Sequence, residues 1–152
     1  MHDNPRALRA GVLLLIFSLV ASPAAAALPV VRVAIVTDGP WDYNQEVLAN
    51  VQKEVGVLTE GEFDVRYPPR IQLQGDWTVA SVRAALDQVL TDPTVDLVIA
   101  AGVLGSGDVG QRGPLPKPVI APYVLDPKLQ GIPFDGVASG VQNLAYITFP
   151  AD

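Results

Sequence analysis

The residues best able to do chemistry sit in two short strings. These are Thr37-Asp38-Gly39-Pro40-Trp41 and Gly102-Val103-Leu104-Gly105-Ser106-Gly107, with Tyr123 and Asp126 farther on. The chemistry they suit is binding. Asp38 and Asp126 can accept hydrogen bonds, Trp41 and Tyr123 can stack on a ring, and Ser106 offers a hydroxyl. Gly39, Gly102 and Gly105 carry no Cβ, so a ligand can come close to their backbone N–H groups. Each residue also has a plain structural use. Asp38 can cap a turn or a helix, and Trp41 can cover the first helix.

Catalysis lacks its usual parts. The chain has 152 residues, no cysteine and one histidine, His2. Within it, thiolate chemistry, disulfides, His-based triads and multi-His metal sites are excluded. Ser106 has no histidine to activate it, and no Ser-x-x-Lys occurs. Glu60, Glu62 and Asp64 cluster between a predicted helix and a predicted strand, where solvated charge is the ordinary outcome. Gly105-Ser106-Gly107-Asp108-Val109-Gly110 spells G-x-G-x-x-G. For dinucleotide binding those glycines must follow the first strand and open a helix that holds a pyrophosphate. Here they follow the third strand and run at once into Gln111-Arg112-Gly113-Pro114. A Gly-Lys-Ser/Thr phosphate loop is missing as well. The expectation is a protein without enzymatic activity, without a cofactor and without a metal.

The elements that must position these residues alternate strand and helix. Val30–Val36 is a β-branched run that ends at the Asp38 string, so it reads as a buried strand. Val47, Val51, Val55 and Leu58, with Leu48 beside them, recur at helical spacing, and Asp42 or Asn44 can cap that helix. Gly61 marks its stop. Phe63–Tyr67 alternates apolar and polar as a half-exposed strand does, until Pro68-Pro69. A second helix carries Val79, Val82, Leu86, Val89 and Leu90 as its stripe. Asp76 or Thr78 caps it, and Asp92-Pro93 closes it. Val95–Ala101 is nearly all apolar, as suits a strand covered on both faces. Val119–Ala121 opens a fourth strand that Pro122 should keep short or at an edge. A last strand runs through Ala145–Phe149. Between Gly102 and Pro133 lie six prolines and six glycines, which predict an ordered loop. The rhythm implies right-handed crossovers and an α/β fold, a doubly wound, mostly parallel sheet in flavodoxin-like order 2-1-3-4, with a fifth strand left open. The carboxyl ends of its strands are where ligands bind. The binding set is therefore Asp38, Gly39, Trp41, Gly102, Gly105, Ser106, Tyr123 and Asp126.

The N-terminus reads as an address. Arg6 and Arg9 precede the apolar run Gly11–Val20, and Ala24-Ala25-Ala26 supplies an A-x-A cleavage site. The run is shorter than the roughly 20 residues that cross a bilayer. Residues 1–27 are thus expected to be a secretory signal peptide, and residues 28–152 an exported lobe with no membrane span. Cleavage removes two positive charges and one negative, so the formal charge of −6 becomes −7. That acidity argues against a nucleic-acid partner. The 49% hydrophobic content argues against disorder.

Several strings together resemble one family. They are Val31-Arg32-Val33-Ala34-Ile35-Val36-Thr37-Asp38-Gly39-Pro40, Gly75-Asp76-Trp77-Thr78 and Val95-Asp96-Leu97-Val98-Ile99-Ala100-Ala101-Gly102. Pro116-Lys117-Pro118-Val119-Ile120-Ala121-Pro122 and Ser139-Gly140-Val141-Gln142-Asn143-Leu144 extend the likeness. In order, they resemble the first lobe of type I periplasmic solute-binding proteins, specifically the substrate-binding-like proteins of ABC transporters. The resemblance implies a three-layer lobe, a small-molecule ligand, and an inner-membrane ABC permease as partner. It also implies a second lobe, which these residues do not supply, so the lobe is expected to be an incomplete binder. Two other readings stay open: a single-lobe envelope protein that partners a transport or efflux assembly, and a flavodoxin-like nucleotide or flavin binder.

Overall fold

The computed structural model describes residues 27–148, with the side chains of Tyr43 and Asn44 left aside. The expected signal peptide (save Ala27) and Phe149 lie outside the described residues.

Nine elements follow one another. They are β1 (Val30–Thr37), α1 (Asp42–Leu58), β2 (Asp64–Arg66), β3 (Gln72–Gln74), α2 (Val79–Thr91), β4 (Leu97–Ala101), α3 (Val103–Gln111), β5 (Val119–Val124) and β6 (Leu144–Thr148). The six strands form one sheet in the order β2-β1-β4-β5-β6, and every described pairing is parallel. The expected α/β class and strand order are both present. The unexpected strand is β3, which joins β1 on the same side as β2: β2 pairs with Val30–Arg32 and β3 with Ile35–Thr37. Between them Gln72 Nε2 donates to the Val33 carbonyl at 2.9 Å, so the break in the edge is hydrogen-bonded.

One face of the sheet carries the main core. Ala34 and Val36 of β1, Val98 and Ala100 of β4, and Val119 and Ala121 of β5 point the same way because strand side chains alternate. They form a core with Val82, Leu86, Val89 and Leu90 of α2 and Val109 of α3. Of the expected α2 stripe only Val79 is exposed. It stands in the first turn, and Thr78 is the cap whose Oγ1 accepts from the Ser81 N–H. Asp108 ties the two helices together, accepting from Arg83 Nε and Arg112 Nε at 2.7 Å each.

The other face is served by α1 alone. Val33, Ile35 and Ala101 are buried there, with Val31, Leu48, Val65, Tyr67, Leu97 and Ile99 partly covered. The expected stripe of α1 is only half used: Val51 and Leu58 face solvent, whereas Gln52 joins Leu48 on the side facing the sheet. Spaces of about 370 Å³ and 220 Å³ lie along the helix–sheet boundary, the second lined by Val31, Val55, Phe63, Ile99 and Ile120. Neither Asp42 nor Asn44 is the N-cap. That position is Trp41, which makes no side-chain cap bond.

Two further expectations need correction. The stretch after Gly102 is not a loop but begins with the nine-residue helix α3. Three glycines lie inside this helix, and at Gly110 the neighbours leave no room for a side chain: a Cβ there would stand 2.6 Å from Ile132 Cγ2. β5 is neither short nor at an edge, since β6 pairs beyond it. Pro122 is tolerated because the register with β6 shifts between Ala121 and Val124, so no ladder bond is needed from it.

Candidate functional site

β1 and β4 are neighbours in the sheet, yet α1, β2, β3 and α2 separate them in the chain. The path leaves β1 towards β2 on one side and returns to β4 on the other. Such a switch in strand order opens a crevice at the carboxyl ends. A cavity of about 110 Å³ lies there, lined by Asp38, Trp41, Trp77, Ala101, Gly102, Val103 and Tyr123.

Asp38 forms the floor. It is 5% exposed, and its carboxylate accepts from the N–H groups of Leu104 at 2.8 Å and Gly105 at 2.9 Å. The free N–H groups at the start of α3 are thus satisfied by a residue distant in the chain, since Gly102 in the N-cap position has no side chain to do it. A Cβ on Gly102 would overlap the Asp38 carboxyl, so glycine is required for this approach. Ser106 is wholly buried: its hydroxyl donates to the Ala100 carbonyl at 3.1 Å and accepts from the Tyr123 N–H at 3.2 Å. It fixes β4, α3 and β5 together.

The walls are aromatic. Trp41 and Trp77 are 56% and 52% exposed, and Tyr123 is half-buried. Trp77 was not among the residues expected here. It follows β3 in a left-handed backbone conformation, φ 68°, and its N–H donates to the Asp38 carbonyl at 2.8 Å. Its indole covers Gly39, where any Cβ would overlap the ring. Asp126 lies outside the cavity. It is exposed and caps the next turn, accepting from the Leu129 N–H at 2.9 Å.

Of the expected set, the cavity therefore gathers Asp38, Trp41, Gly102 and Tyr123, with Gly39 beneath Trp77 and Gly105 and Ser106 just below. Among the described residues no Lys or Arg lines it. The carboxyls held below their ordinary range lie elsewhere: Arg66 lowers Asp64 in β2, and three others cap turns. The Thr78 hydroxyl lowers Asp76, the Thr94 hydroxyl lowers Asp92 to about 2, and the Ala138 N–H lowers Asp135. Among the described residues no group of three or more His, Asp or Glu side chains comes together as a metal site. Among them no helix is long and apolar enough to cross a membrane. No protein-family model, curated protein or solved structure matches the chain.

Proposed function

We propose that the protein is an exported solute-binding lobe that captures a small molecule for a membrane transporter. The signal peptide at residues 1–27 directs it to the periplasm, and it resembles the first lobe of a type I periplasmic binder serving an ABC permease. The observation that carries this reading is the gathering of Asp38, Trp41, Trp77, Gly102 and Tyr123 around one cavity at the strand-order switch. Open α/β sheets bind ligands at that place, and aromatic walls with one polar floor group suit recognition better than reaction. The cavity of about 110 Å³ is smaller than the roughly 300–1,000 Å³ of formed ligand pockets. A larger ligand would need a second surface to close over it.

The test is calorimetric titration of the chain with amino acids, sugars, purines and aromatic compounds. Binding of one class, weakened at least tenfold in Trp41→Ala, is the expected result. A folded chain that binds none of them refutes the proposal.

A second reading, an envelope interaction protein, draws on the half-covered sheet face, where Phe63 is 43% and Ile147 is 54% exposed. Extended apolar surface of that kind marks contact sites.

A further inference from the structure

Resting on the binding reading above, we infer that the cavity at the carboxyl ends of β1, β4 and β5 selects a compact organic cation, with an ammonium head of the quaternary type. Three observations converge. Much of the helix terminus that would ordinarily attract an anion is already answered, because Asp38 takes the Leu104 and Gly105 N–H groups and the Ser106 N–H goes to the Gly102 carbonyl. An anionic ligand would meet the Asp38 carboxylate where the Leu104 and Gly105 donors would otherwise face it.

Among the described residues, the only ionisable acid or base lining the cavity, apart from the Tyr123 phenol, is that carboxylate, 95% withdrawn from water. Trp41, Trp77 and Tyr123 supply its aromatic wall, beside Ala101, Gly102 and Val103. Aromatic faces are negative, and rings grouped around a small space attract cations that are weakly hydrated. The volume of about 110 Å³ admits a head group of a few carbons around one nitrogen, and not a nucleotide. The formal charge of −6 adds long-range attraction of the same sign.

Three probes of one shape separate charge from fit: choline, its neutral isostere 3,3-dimethylbutan-1-ol, and the anion 3,3-dimethylbutanoate. Each is titrated by calorimetry into the full chain at low ionic strength. Choline is expected to bind at least tenfold tighter than the alcohol, with no binding of the carboxylate. Trp77→Ala should weaken choline about tenfold, and Trp77→Phe should restore most of it, at unchanged circular dichroism. Equal or tighter binding of the alcohol or the carboxylate overturns the cation assignment, as does Trp77→Ala with unaltered choline affinity. If choline fails while a compound of the broader panel binds, the cation class is wrong and the binding lobe stands. If nothing binds, both readings fall.

Discussion

At the scale of single residues, Asp38 has two tasks that pull in different directions. It forms the floor of the cavity and it caps a helix sixty-odd residues away in the chain. Removing a capping side chain costs about 0.5–2 kcal/mol, and here two nearly buried N–H groups lose their partner together. Asp38→Ala is expected to lower stability by about 2 kcal/mol in a urea melt. A loss below about 0.5 kcal/mol would mean that water replaces the carboxylate freely. Asp38, Trp41, Gly102 and Tyr123 were legible in the sequence because they follow strand-like runs, and strand ends gather in a parallel sheet. Trp77 was not. It reaches the site through β3, three residues whose Gln-Leu-Gln pattern carries no strand signal, and through a left-handed turn that favours glycine or asparagine. The usable hint was Asp76-Trp77-Thr78, where Asp76 accepts from the Thr78 N–H and hydroxyl and so tightens the turn.

At the scale of elements, the helices differ in how firmly they are held. α2 buries four large side chains, whereas α1 buries none of its described side chains fully and borders open spaces along the sheet. Opening free energies follow buried contact, so α1 amides should exchange with solvent faster than those of α2. Hydrogen-exchange mass spectrometry would show it, and equal protection would contradict it. The reason lies in the sequence pattern. The apolar residues of α1 recur at 47, 51, 55 and 58, but the side that meets the sheet carries 48, 52 and 55, so periodicity alone misjudged which face is buried. The α2–β4 connection carries a pH signal. The Thr94 hydroxyl, then its N–H and Arg70, hold Asp92 at about 2 against an ordinary 3.8. A carboxyl lowered by folding stabilises fully above its ordinary value, and that contribution fades as pH falls through about 2. Urea midpoints measured between pH 5 and pH 2 should therefore drop less in Asp92→Asn than in the parent chain. Parallel curves would refute the role.

At the scale of the whole molecule, the sheet is dressed unevenly. The nearly continuous apolar run Val95–Ala101 predicted a strand covered on both faces, and β4 has Leu97 and Ile99 on one side and Val98 and Ala100 on the other. Only the second pair is sealed. A helix is about 10 Å across and strands lie about 4.8 Å apart, so α1, lying over β1, β2 and β4, leaves Ile120 and Ile147 on the open side. An apolar fluorescent dye should bind there, and Phe63→Asp should reduce its signal with less than about 1 kcal/mol change in stability. An unchanged signal would place the dye elsewhere. The two borders of the sheet also have unequal fates. On one side β2 and β3 are fragments of three residues, interrupted by Pro68-Pro69 and a 3₁₀ turn at Pro69–Ile71, and they offer no continuous row of amides to a foreign chain. On the other, β6 is the outermost described strand, five residues long, with no proline among them. Growth of this sheet by strand addition, whether from a peptide or from another copy, is therefore directional: it can proceed from β6 and is blocked at β2 and β3.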